Sequence, residues 1–155
     1  MLLLEIKKMW ISFLKSKGYF ELEDFSLVPK NDDSILWVNS GVSAIKKYFK
    51  NPSLSPARNM VNSQRVIRTN DIDLIDENSY HQTLFEMLGS FSINGNFKSE
   101  VIPIVWDFLT DSNYLKIASQ KLFITTFKGD KDTIEIWNKQ KNINLKNIIL
   151  CNEDS

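Results

Sequence analysis

Almost nothing in this chain can build a metal cage or a disulfide. It holds one cysteine, Cys151, and one histidine, His81, in 155 residues. A lone cysteine makes no internal disulfide. One cysteine and one histidine supply half of the four ligands that a structural zinc site needs. A reducing cytoplasm is therefore the expected compartment. Excess charge is missing as well: Lys plus Arg total 19 and Asp plus Glu total 19. A module that grips nucleic acid by bulk electrostatics would be basic, so contact with a nucleic acid would need a local patch or another domain. The segment "IKKYFK" (Ile45 to Lys50) is a small basic candidate that reads first as a solvated helix face. No apolar run is long enough to cross a membrane. "MLLLEIKK" is apolar for three residues after Met1 and then charged, too short for the apolar region of a signal peptide. With 5 Gly and 4 Pro there is no linker, repeat or low-complexity tract.

Large side chains are what the chain does have. Aromatics make up 12% of it, including 10 Phe and 4 Trp, and 43% is hydrophobic. That suffices for the core of one domain. The spacing predicts a helix over 3–17, with Leu3, Ile6, Trp10, Phe13 and Leu14 on one face and Gly18 as its stop. "SILWV" (Ser34 to Val38) reads as a short strand. "NSG" (Asn39 to Gly41) offers an N-cap for a helix to about Lys50, with Val42, Ile45, Tyr48 and Phe49 inward. "NMVNSQRVIRT" and "HQTLFEMLGSFS" read as two strands joined by an acidic connection. A helix over about Lys98 to Thr110 buries Val101, Ile104, Val105 and Phe108, and tolerates Pro103 only near its first turn. "KLFITTFK" is a strand, the segment after it a helix opened by Asp, and "NIILC" a closing strand. The fold class is α+β, helices with a mainly antiparallel sheet.

Strand alternation singles out one constellation. Gln64, Val66 and Arg68 share a face of the first long strand, and Arg65 and Ile67 share the other. On the second, His81, Thr83, Phe85 and Met87 fall together, opposite Leu84, Glu86 and Leu88. If the strands pair, Arg68 and Phe85 look out from the same side. An arginine fork takes a phosphate in a bidentate way, and an aromatic face stacks on a base. Spacing alone fits a plain hairpin as well, with Phe in the core and Arg at the rim. Glu86 reads either as a satisfied carboxylate or as a ligand-orienting group.

Four segments in order, "SLVPKNDDSILWVNSGVSAIKKYF", "SQRVIR" with "HQTLFEMLGSFS", "FKSEVIPIVWDFLT" and "KLFITTFKGDKDTIEIW", carry a resemblance. They are similar to the N-terminal part of the catalytic domain of bacterial alanyl-tRNA synthetases, which are class II aminoacyl-tRNA synthetases. "FEMLGSFS" is close to a signature of that family. The resemblance implies a class II antiparallel sheet flanked by helices, truncated, with 1–155 a partial catalytic domain that holds motifs 1 and 2 and lacks motif 3. It implies ATP as cofactor, Mg²⁺ brought with the ATP, alanine as substrate, and tRNA(Ala) engaged through regions outside this chain. No metal ligands are implied, and no membrane partner. Arg68 would contact the ATP α-phosphate, Phe85 would stack on adenine, and Met87 and His81 would lie nearby. The activity implied is alanine–tRNA ligation by way of alanyl-adenylate; the other reading is a non-catalytic module that binds adenine nucleotide or a partner. The sequence departs from the family in two places. Only Thr69 stands between Arg68 and Asn70, where the family carries a Gly-Gly-Lys insert, and Asn94-Gly95-Asn96 replaces a Gly-Asp pair.

Overall fold

The computed structural model describes residues 2–30, 32–70, 72–75, 77, 80–95 and 97–152. Asp71 and Asp76 of the acidic connection, Asn96, and the polar end from Glu153 to Ser155 lie outside these residues. The chain forms two compact units, Met1–Gly95 and Asn96–Ser155.

In the first unit, α1 runs over Leu3–Ser16 and buries Trp10, Phe13 and Leu14. Leu3 and Ile6, expected on that buried face, are exposed and half-buried. They lie in the first turns, where Glu5 turns back to accept the Leu2 N–H at 2.7 Å. The helix stops where glycine permits it. Gly18 has φ +85°, its N–H donates to Lys15 O at 3.0 Å, and the Tyr19 N–H donates to Leu14 O at 3.1 Å. This pair of bonds closes a Schellman turn, which needs a left-handed residue at that position.

The chain then enters a three-stranded sheet of order β1 (Phe20–Glu21), β2 (Asn59–Ile67), β3 (Leu84–Ser92). β1 lies parallel to β2, and β3 pairs antiparallel with it along nine-residue strands. Regular pairing of β1 stops early, and side chains carry the alignment on. The Leu22 N–H still donates to Val61 O at 2.9 Å. Beyond it, Gln64 Oε1 accepts the Phe25 N–H and Nε2 donates to Phe25 O, both at 2.9 Å. Asp24 accepts from Arg65 Nε at 2.6 Å.

Two expected elements differ. Ser34–Val38 is not a strand. The Asp32 carboxylate accepts the Ser34 N–H at 3.1 Å and the Ser34 hydroxyl, and turns the chain just ahead. Among the described residues only Val38 then has neighbours on both sides: its N–H donates to Leu27 O at 2.8 Å and its carbonyl accepts from the Ile67 N–H at 3.0 Å. The helix expected after Asn39 is a 3-10 turn, Ser43–Ile45, followed by α2, Lys46–Lys50. Ile45, at φ −118° and ψ 11°, interrupts the helical path, so residues before and after it do not form one stripe. Ile45 is buried in a cluster with Leu22, Met60 and Ile93, and Tyr48 packs there too. Val42 and Phe49, expected inward, are exposed.

In the second unit, α3 covers Phe97–Thr110 and buries Val101, Ile102, Trp106 and Phe108. Trp106 takes the place expected for Ile104 and Val105. Its indole donates to Lys141 O at 2.9 Å and meets Trp137 edge-on at 5.8 Å. Pro103 lies inside the helix rather than in its first turn, which removes one backbone bond. β4 (Ile124–Phe127) and β5 (Ile148–Cys151) pair in parallel, joined through α4 (Lys131–Asn138). Asp130 caps α4, accepting the Thr133 N–H at 3.2 Å and the Thr133 hydroxyl at 2.8 Å, and also pairs with Lys98.

Candidate functional site

The β2–β3 register sets Val66 against Phe85, Gln64 against Met87 and Asn62 against Gly89. Directly opposed residues point to the same side of a sheet. One face therefore carries Asn62, Gln64, Val66, Phe85, Met87 and Gly89. The other carries Arg65 and Glu86. Glu86 meets Lys7 of α1 at 2.5 Å, so its carboxylate is paired with a lysine.

Arg68 follows the end of β2, and its N–H donates to Thr83 O at 2.9 Å, which carries the alternation one step further. Its guanidinium carbon stands 5.5 Å from the centroid of the Phe85 ring. Its Nε donates to the Asn39 carbonyl at 2.9 Å. Arg65 points the other way, into Asp24. Arg68 and Phe85 are thus brought together on one face, and Arg65 is tied up on the opposite one. Met87 shares the Phe85 face, and its sulfur accepts the Gly41 N–H at 3.3 Å. His81 stands apart from this alignment. The strand expected from His81 begins only at Leu84, and the His81 ring lies tilted against Tyr80, centroids 5.1 Å apart.

Two glycines admit the Phe91 ring to this face. A Cβ on Gly41 would stand 3.1 Å from Phe91 Cζ, and one on Gly89 would stand 2.6 Å from the same atom and 2.7 Å from Asn62 Oδ1. The Phe91 ring therefore lies over Gly89, and Asn62 is buried beneath it. Neither polar atom of the Asn62 amide has a hydrogen-bond partner among the described residues. The contributions of Asn39 and Gly41 escaped strand alternation, because they come from a turn distant in sequence. The signal for Asn39 and Gly41 was "NSG", read as a helix cap and as part of the first of the four resembling segments.

An exposed arginine whose outer edge is unspent among the described residues, an aromatic ring at its side and a polarizable sulfur beyond it suit a ligand with an anionic end and a flat apolar end. The relatives with matching sequences include three alanine–tRNA ligases. The chain is 43% identical over 150 residues to an alanine–tRNA ligase of Mycoplasma capricolum subsp. capricolum, a match covering 97% of this chain and 16% of that protein. To one of Mesomycoplasma hyopneumoniae it is 48% identical over 133 residues, 86% of this chain and 15% of the relative. To one of Ureaplasma parvum serovar 3 it is 47% identical over 150 residues, 97% and 16%. The chain spans about 16% of the length of such relatives. The family described as tRNA synthetases class II (A) matches residues 5–155. From Glu5 to Ser155, then, the chain belongs to the class II tRNA synthetases.

Proposed function

We propose that this chain is the part of an alanine–tRNA ligase catalytic domain that holds ATP while alanine is activated. The reading is carried by one observation: the Arg68 guanidinium lies over the Phe85 ring, on the opposite side of the sheet from Arg65. Arg68 binds the α-phosphate through its two Nη groups. As the alanine carboxylate attacks phosphorus, negative charge grows on the α-phosphate oxygens, and a fixed guanidinium stabilises it more in the transition state than in the ground state. Pyrophosphate leaves and alanyl-adenylate remains, from which the alanyl group passes to the 3′ end of tRNA(Ala). Phe85 stacks on adenine and Met87 lines the same face. Mg²⁺ would be held by the phosphates of the ATP it accompanies. Such chemistry belongs in the cytoplasm, where ATP and tRNA meet. Among the described residues no helix is long and apolar enough to cross a membrane.

Calorimetric titration of ATP and adenosine tests the reading. A charge-assisted bond contributes about 1.5–3 kcal/mol, so Arg68→Ala is expected to weaken ATP binding about tenfold or more and to spare adenosine. Arg68→Lys recovers part of the loss, because a point charge lacks the fork. Phe85→Ala weakens both ligands alike. Equal losses from Arg65→Ala and Arg68→Ala refute the assignment.

A further inference from the structure

Arg68 is exposed, yet its guanidinium is anchored at one corner by the bond from Nε to the Asn39 carbonyl. An arginine offers two bidentate edges, Nε with one Nη, or Nη1 with Nη2. Nε carries a single hydrogen. The bond to Asn39 therefore spends the first edge and leaves the second.

The Asn39 side chain is itself held by a hydrogen-bond chain with one direction, which fixes the residue whose main-chain carbonyl takes the Arg68 bond. Ser43 Oγ donates to Asn39 Oδ1 at 2.8 Å. A hydroxyl has one hydrogen to give, so the 2.7 Å contact between the two serine oxygens runs from Ser40 Oγ to Ser43 Oγ. Ser40 Oγ in turn accepts the Ser43 N–H at 3.2 Å. Ser43 is the fixed point of the chain: it is buried and opens the turn that seats Ile45 in the core. Asn39, by contrast, is exposed.

We propose that Ser43 is a positioning residue for Arg68. Through Asn39 it keeps Nε engaged and turns the Nη1–Nη2 edge outward, so the site receives a phosphate end-on. The identity of the ligand rests on the nucleotide reading above; the anchoring of Arg68 does not.

Two readouts on the 155-residue chain test this. One is the solvent exchange rate of the Arg68 Nε–H, followed by ¹⁵N NMR, and the other is affinity for ATP and adenosine. Losing one neutral hydrogen bond in Ser43→Ala is expected to speed that exchange and weaken ATP binding, each about two- to tenfold, with adenosine unchanged. Ser43→Thr keeps the hydroxyl and restores both. Asn39→Ala removes the acceptor instead of the donor at an exposed position, and reproduces the effect even if Ser43→Ala fails to fold. Unchanged Nε–H exchange in the folded variants overturns the proposal. If Arg68→Ala leaves ATP binding intact, the nucleotide reading fails while the exchange rates still decide the anchoring. If Arg68→Ala weakens ATP and neither Ser43→Ala nor Asn39→Ala does, the positioning role alone is refuted.

Discussion

Gln64 gives the sharpest test of how the first unit is held together. Its side chain is fully buried and makes three hydrogen bonds to main chain: two with Phe25 at 2.9 Å and one to Arg65 O at 2.8 Å. It replaces a strand partner at the point where β1 has ended. Gln64→Leu keeps nearly the same volume, so no cavity opens and the loss is polar. Three net bonds of about 1 kcal/mol each set an upper figure near 3 kcal/mol. Phe25 is only partly buried, and water can recover some of it, so about 2–3 kcal/mol is expected. That is a large share of the roughly 5–15 kcal/mol a domain commonly has. Urea unfolding followed by far-UV circular dichroism measures it as a fall in midpoint at constant slope. Gln64→Glu adds a second arm. It keeps the acceptor for the Phe25 N–H but aims a carboxylate oxygen at two carbonyls, which raises the folded-state pKa above the unfolded value. The folded state then binds more protons, so the deficit of this variant shrinks as pH falls from 7 toward 4. A loss under about 1 kcal/mol in Gln64→Leu would mean that these bonds merely exchange with water, and a Gln64→Glu deficit that grows on acidification would refute the charge argument.

Gly89→Ala is expected to cost about 1–3 kcal/mol, typical of an overpacked site, because its Cβ would fall 2.6 Å from Phe91 Cζ. Part of that should return in the double variant Gly89→Ala/Phe91→Leu, and a neutral Gly89→Ala in urea unfolding would show that the ring moves freely. Asp32 is held at about 2, against an ordinary 3.8, first by the Ser34 hydroxyl and then by Lys46. Because the folded value is the lower one, the stability it brings is present above about pH 4 and fades as pH falls toward 2. An NMR titration of the Asp32 carboxyl with a midpoint near 3.8 would contradict this.

Local rules read some of this molecule well. Gly18 marked the end of α1 because a left-handed residue is a local requirement. Parity separated Arg65 from Arg68 because alternation is a property of any strand, whatever covers it. Longer-range partners were out of reach. Asn39 lies 29 residues from the arginine it anchors, and Phe25 lies 39 from Gln64. The apolar run Ser34–Val38 misled for the opposite reason: its composition suits a strand, but among the described residues only Val38 has backbone neighbours on both sides to pair with. In α3, periodicity marked a stripe but not its centre, which moved to Trp106 because a buried indole seeks an acceptor and Lys141 O supplies one.

The pairing of Val66 with Phe85 also bears on how such chains tolerate change. The relation between Arg68 and Phe85 follows the ladder, which the Arg68 N–H extends by one step to Thr83 O. Residues can be gained or lost between Thr69 and Thr83, in any number, odd or even, without rotating either side chain to the wrong side. A short acidic connection in place of a Gly-Gly-Lys insert is then a change of accessory rather than of frame. One residue removed between Arg65 and Arg68, by contrast, would turn Arg68 to the Asp24 side of the sheet and away from the Phe85 ring.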